Sequence, residues 1–402
     1  MHNGSSLDAS PISAFSFTSK SKLAQDETTL RNPSESIAER TIRKIRRHIL
    51  PLVFLLYVVA FLDRANVAYA KLTMSPELGF SEAVYGFGAG LFFVGYFLLE
   101  IPGALIVQRW GARRWIARIL FTWGLCTALV GLVHTPKQFY STRFLLGAAE
   151  AGFFPGIIVH LNQWFPSEYR AGALARFIVA SPIALAIGGP VAGPILKLKW
   201  LGLSGWRWLF IIEGVPAVVL AVVTLFLMTD SPGQAGWLEP EEREWVCRAL
   251  EDERRRKTAF GTFPIRQAMR QRGVLLLALI TFLANIGIQG FFLWVPTTVH
   301  KASGLPPYLA AIISGLSFVI AVVSVLFCSR SSDRTGERFL HTAIPLLFAA
   351  FIFPVTTLAI QSFGWRSFGY ARQAPLSTDL ARPIGYYPPQ RCENLPPRRR
   401  LA

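Results

Sequence analysis

Five charged side chains stand inside stretches of chain that are otherwise apolar: Asp63, Arg64, Arg143, Glu150 and Glu213, with Glu100 a sixth nearer the end of its stretch. A charge within a membrane-spanning helix costs at least about 2.5 to 3.5 kcal/mol, so such residues usually face a protein interior and have a partner or a task. Arg143 and Glu150 are seven residues apart. That spacing puts both on one face of a helix, about 10 Å apart along its axis. A guanidinium stays protonated and offers a planar fork of donors that holds a carboxylate in bidentate geometry. A buried carboxylate can take up or release a proton as its surroundings change. Arg64 and Arg143 therefore suit the anchoring of a small organic anion, and Asp63 and Glu150 suit proton coupling. The rival reading is structural, with Asp63 and Arg143, or Arg64 and Glu150, as ion pairs that only hold helices together. For Glu213 and for Glu100, which precedes Pro102, structural bonding or gating is favoured over substrate contact. Asn285 and Gln289, one helical turn apart, could contact substrate from the second half of the chain, although such amides also bond between helices.

No nucleophile stands beside a base, no glycine loop is built for phosphate, and no cluster has metal-ligand spacing. The expectation is a protein that is not an enzyme, with no catalytic residue, metal or cofactor. Cys126, Cys247, Cys328 and Cys392 fall in separate contexts and suggest no disulfide framework.

The elements that must position these residues are membrane helices. Of 402 residues 52% are apolar and only 16% charged, which excludes a disordered or ordinary soluble chain. About nine apolar runs are long enough to cross a bilayer core of about 30 Å as helices. They begin near Ile49, Ala83, Trp115, Tyr140, Ala173, Trp208, Val274, Tyr308 and His341. Residues 1–47 read as a polar tail and 48–228 as a bundle of six spans. Residues 229–272 read as a polar insert with an exposed amphipathic helix from Pro240 to Lys257, and 273–361 as a partial second bundle of about three spans. Residues 362–402, rich in Pro and Arg, look foreign to the architecture before them.

The net charge of +17 gathers in loops on one side of the spans, with Arg109, Arg113, Arg114, Arg170, Arg176, Arg330, Arg334 and Arg338. By the positive-inside rule that side, with the amino terminus, is cytosolic. Lys197, Lys199 and Arg207 run against the bias. A lipid bilayer accounts for the charge, and no nucleic-acid partner is expected.

The chain also carries an internal repeat. Ala104 to Arg114 after the second run and Ser329 to Arg338 after the eighth both fit small-x-x-x-polar-Arg-x-Gly, through Gln108-Arg109-Trp110-Gly111 and Asp333-Arg334-Thr335-Gly336. Copies six spans apart imply duplication of a six-helix unit. At these residues the chain resembles the major facilitator superfamily, whose cytosolic loops carry Gly-x-x-x-Asp-Arg-x-Gly-Arg-Arg as a gating motif. Arg109, Gly111, Arg113, Asp333, Arg334 and Gly336 match it, while Gln108 replaces the first carboxylate. Phe61-Leu62-Asp63-Arg64-Ala65-Asn66, the stretch from Arg143 to Gly156, Trp164-Phe165-Pro166 and Trp206-Arg207-Trp208 are similar to the anion:cation symporter branch.

The resemblance implies an all-α polytopic membrane protein of two-bundle fold in the plasma or inner membrane. It would import a small organic anion, a carboxylate or sugar acid, with protons by alternating access. The resemblance also assigns proton coupling to Asp63 and Glu150 and a substrate hydrogen bond to Tyr96, which could equally be a packing residue. The family has twelve spans where about nine are read here, so the alternative is a truncated or frame-shifted membrane fragment that transports nothing. The sequence carries no signal of oligomeric state.

Overall fold

The computed structural model describes residues 33–259, 270–337, 339–341, 343–352 and 355. Among the described residues eleven α-helices follow one another up to Thr335: α1 (Pro33–Leu78), α2 (Glu82–Trp110), α3 (Ala112–Val130), α4 (Pro136–Glu150), α5 (Phe153–Trp164), α6 (Ser167–Ile178), α7 (Ala180–Leu196), α8 (Gly205–Leu227), α9 (Pro240–Ala259), α10 (Arg272–Ser303) and α11 (Pro307–Thr335). The chain divides into two compact units at Thr335/Gly336, and the boundary expected at 361/362 lies outside the described residues. In the second unit the described helix is Phe339–Ile352.

Each expected apolar run is helical where it is described. Among the described residues seven segments are long and apolar enough to cross a membrane, with α4–α5 and α6–α7 each counted as one. The expected third span, α3, is long enough at 19 residues but is not among the seven, and it carries Arg113, Arg114 and Arg118. The ninth run is described only over Phe339–Ile352, and the foreign-looking tail at 362–402 lies outside the described residues.

Of the segment read as a polar tail, residues 33–47 are helical, since α1 starts at Pro33. Ion pairing explains the difference. Arg40 Nε lies 2.9 Å from Glu242 Oε1, and Lys44 Nζ lies 2.9 Å from Oε2 of the same fully buried carboxylate. Trp237 adds to the attachment, stacking at 4.1 Å on His48 and 5.4 Å on Trp164. The amphipathic helix expected from Pro240 is α9, and these contacts bind its start to α1 and α5.

The helices alternate between this basic end and a far end. At the basic end Asp230, just beyond α8, accepts the Arg113 backbone N–H at 2.8 Å and so closes the start of α3. A negative group at a helix amino terminus is favourable. Gly111, at φ +82°, leaves no room for a Cβ beside the Asp230 carboxylate. Gly336, the equivalent glycine of the second motif, has φ +70°, so both copies use the left-handed turn that glycine permits.

At the far end Arg207 donates from Nη1 to the carbonyls of Gly131 at 3.0 Å and Val133 at 3.1 Å. This arginine is buried and spent on the end of α3, which explains one exception to the charge bias. Glu82 joins two distant parts of the chain there, with Lys71 Nζ 2.5 Å and Lys301 Nζ 3.0 Å from its oxygens. Lys71 Nζ also lies 3.5 Å from the Trp294 ring centroid.

Glycines set how closely the helices cross. A Cβ on Gly147 would stand 1.9 Å from the Phe92 carbonyl oxygen, and one on Gly95 would stand 2.3 Å from that of Phe144, so α2 and α4 meet backbone to backbone. Gly124 against Gly214 joins α3 to α8 in the same way, and Gly189 against Gly315 joins α7 to α11. Close approach through small residues is the usual means of packing membrane helices.

Two outcomes follow. Gly147→Ala should lower stability in detergent by about 1 to 3 kcal/mol through overpacking. Gly90→Ala, where a Cβ meets nothing within 4 Å, should change it by less than about 0.5 kcal/mol; thermal unfolding of both variants separates the cases.

The second outcome concerns pH. Burial alone raises the Glu253 carboxyl, but hydrogen bonds from Arg170, Lys257 and the Ser167 amide outweigh it and hold the group down at about 2. The folded state therefore binds fewer protons than the unfolded one at this site. Its contribution is complete above the usual value of 4.5 and fades as pH falls toward about 2. Hydrogen exchange in α9, corrected for intrinsic rate, should show protection lost over that acid range, and Glu253→Gln should loosen α9 already at neutral pH.

Candidate functional site

The site begins at a break in the fourth span. Thr135 and Gln138 form a capping box with Pro136 in the first turn, which fixes where α4 starts. The helix ends at Glu150 because Ala151 leaves the helical region at ψ 140° and Gly152 turns left-handed at φ +82°. A Cβ on Gly152 would stand 2.8 Å from Gly103 Cα of α2, so the turn is also a close packing point. Sequence reading had one continuous span here. The break leaves Glu150 at the carboxyl end of α4, where the helix dipole disfavours a negative charge. Arg64 of α1 compensates, with Nη2 2.7 Å from Glu150 Oε1 and the carboxylate wholly buried.

The Arg64 guanidinium also lies over aromatic rings, 5.0 Å from Tyr96, 5.3 Å from Phe61 and 5.8 Å from Phe92. Arg143, two turns before Glu150 on α4, lies 4.8 Å from the same Phe92 ring. Phe92 is thus a platform shared by both guanidiniums. Arg143 is only 2% exposed, and its buried Nε has no partner. Among the described residues no carboxylate lies within 4.0 Å of it and no hydrogen bond reaches it. A cation over an aromatic face gains about 0.5 to 2 kcal/mol, which does not replace a counter-ion for a buried charge.

Asp63, 2% exposed, accepts from Trp123 Nε1 of α3 at 2.7 Å through Oδ2, while Oδ1 is unpartnered. One turn further along α1, Asn66 donates to Glu213 of α8 at 2.5 Å. Of the two ion pairs considered from sequence, Arg64–Glu150 is present, and Asp63 bonds an indole instead of pairing with Arg143. α1, α2 and α4 thus bring Arg64, Tyr96, Arg143 and Glu150 together, with Asp63 on the face of α1 that meets α3.

Other expected residues lie elsewhere. Asn285 of α10 is exposed and gives its amide to the Thr281 carbonyl of its own helix at 2.8 Å. Gln289 is half-buried, and neither bonds to the four residues just named. The part of α10 that packs against α1 and α2 is nearer the far end, where Trp294 covers Lys71 and meets Tyr85 at 5.8 Å. In the loop motif Arg109, Arg113 and Arg334 are exposed and form no ion pair with a described residue, and the Asp333 side chain lies outside the described residues. Glu100 lines a cavity of about 340 Å³ with Phe97, Ile101 and Pro155. Among the described residues no three of His, Cys, Asp and Glu gather as metal ligands.

Sequence reasoning missed Trp123 and Phe92. Neither differs in type from dozens of aromatic neighbours; the only signal was that a buried indole N–H needs an acceptor.

Comparison with known proteins agrees with this architecture. Residues 53–378 match the family model described as Major Facilitator Superfamily. An Agrobacterium vitis protein provisionally named a tartrate transporter is 43% identical over 318 residues, covering 79% of this chain and 73% of its own. A quinolone resistance transporter of Acinetobacter baumannii is 38% identical over 326 residues, covering 81% and 73%. The crystal structure of a bacterial homolog of the human lysosomal transporter Spinster superposes with TM-score 0.56 at 21% identity, covering 79% of this chain and 70% of that one. Such a likeness speaks for the fold alone. With the buried charges, the repeated loop motif and the glycine-packed helices, these matches establish that the chain belongs to the Major Facilitator Superfamily.

Proposed function

We propose that this transporter moves a small organic anion together with protons, and that Arg143 is the anchor for the anion. The observation that carries the reading is a buried guanidinium with no carboxylate within 4.0 Å among the described residues. Such a charge is unfavourable until an anion completes it, and a carboxylate is the group that a planar fork of donors fits. Arg64, near the same ring, is a second anchor, so a dicarboxylate suits the pair. The name of the Agrobacterium relative supports this cargo class. The name of the Acinetobacter relative points to another, so the assignment rests on the arginines.

Coupling to protons follows from competition. Ionised Glu150 holds Arg64 at 2.7 Å. A proton on Glu150 cancels that attraction and leaves Arg64 free for a substrate carboxylate, so proton and anion load together. Loss of the proton restores the pair and displaces the anion. Tyr96, beneath the Arg64 guanidinium, then orients the freed side chain, and Asp63 is the second proton-coupling residue. Asn285 and Gln289 belong to this proposal only if α10 moves toward α1 during the cycle.

By the positive-inside rule the basic end is cytosolic. At the far end Glu82 links Lys71 to Lys301, and α7 packs on α11 through Gly189 and Gly315. These features support an inward-facing state of an alternating-access cycle. The loop-motif residues Arg109, Gly111, Arg113, Asp333, Arg334 and Gly336 are proposed to act at the cytosolic gate.

Two measurements on the chain reconstituted in liposomes, with radiolabelled tartrate as probe, test the reading. Arg143→Ala should weaken tartrate binding at least about 100-fold, the scale for removing one partner of a buried charge pair; wild-type binding in this variant would refute the anchor. Glu150→Gln should abolish uptake driven by an acid-outside gradient while tartrate exchange stays measurable. Full gradient-driven uptake by Glu150→Gln would remove Glu150 from coupling.

A further inference from the structure

We infer that Glu213 is a third proton-carrying residue of the cycle, loaded from the far end and emptied toward Asp63. The inference rests on the proton-symport reading above. Glu213 is 8% exposed, accepts from Asn66 Nδ2 at 2.5 Å through Oε2, and leaves Oε1 buried without a partner. Among the described residues no Lys, Arg or His comes within 4.0 Å of it. A buried carboxylate served by one neutral amide is costly as an ion, and a bound proton removes that cost.

Glu213 is poorly explained as a structural acid. Buried polar atoms with a structural role are normally satisfied. At the far end α8 is already held to α1 and α3 by the bonds of Trp206 and Arg207. The charged and titratable groups that face Glu213 come from α1 alone: Asp63, and Tyr69, whose buried hydroxyl is also unpartnered. α3 and α7, the other helices on α8, bring no charged residue to it.

Position gives the direction. Glu213 lies eight residues from the far end of α8, a depth of about 12 Å. Its partner Asn66 lies twelve residues from the far end of α1 and Asp63 fifteen, depths of about 18 and 22 Å. A proton entering from the far side therefore meets Glu213 first. It leaves Glu213 Oε1 and binds Asp63 Oδ1, in each of these two acids the oxygen without a partner. Glu213 is left ionised until the next proton arrives, and the pair of acids keeps its total charge.

The test is the number of protons moved per tartrate, read from the membrane potential that just cancels a fixed pH gradient in liposomes holding the full chain. Glu213→Gln is isosteric with the protonated acid, and Asn66 can turn its amide to suit it. The expected result is one proton fewer per tartrate and a flatter dependence of uptake on outside pH. The same ratio and the same pH profile as wild type would overturn the inference and leave the symport reading standing. Wild-type uptake indifferent to the pH gradient would overturn both. Should Glu213→Gln fail to insert, Glu213→Asp takes its place, with the wild-type ratio and a displaced pH profile expected; a profile that does not move overturns the inference.

Discussion

A buried guanidinium with no carboxylate within 4.0 Å among the described residues is the constraint around which the described helices are arranged. Arg143 is only 2% exposed, and its guanidinium lies 4.8 Å from the Phe92 ring centroid. The carboxylate on its own helix, Glu150, is committed to Arg64. Asp63, which could have neutralised Arg143, faces the indole of Trp123. Neither nearby carboxylate forms an ion pair with Arg143, which leaves its charge without a direct partner in a low-dielectric interior where Coulomb attraction is strong.

Holding that arrangement requires close and rigid backbones. Phe92 and Tyr96 reach the two arginines because Gly95 and Gly147 let α2 and α4 touch at the main chain. The turn at Gly152 ends α4 beneath Glu150 and places the acid where the helix dipole makes a proton or a cation necessary. Asp230 on Arg113 and Arg207 on the end of α3 secure the two ends of the third helix. Polar bonds at helix ends thus carry the structural role, which leaves the mid-helix charges to the site.

Much was legible from local pattern. Hydropathy length located the apolar helical runs, though not the break between α4 and α5, because a bilayer imposes one length on a helix whatever its neighbours. The left-handed glycines of the loop motif, at φ +82° and +70°, also follow from residue type, since few other residues accept that backbone. Asp63, Arg64, Arg143 and Glu150 were visible because charge in an apolar run is expensive and therefore conspicuous. Helix periodicity alone set Arg143 and Glu150 on one face.

Partner choice was not legible, because it depends on which helices meet. The sequence allowed Asp63 to pair with Arg143 or not, and the packing of α3 against α1 decided for Trp123. Residue type does not separate Gly86 and Gly90 from Gly95 and Gly147, yet a Cβ on the first two would meet nothing within 4 Å. Arg207 read as a stray loop charge until the ends of α3 and α8 came together. Composition and period determine what each helix is and which face it offers, since those are properties of one segment. Whether a given charge is paired, capped or left open is a property of the contact between segments, and only the tertiary structure decided it.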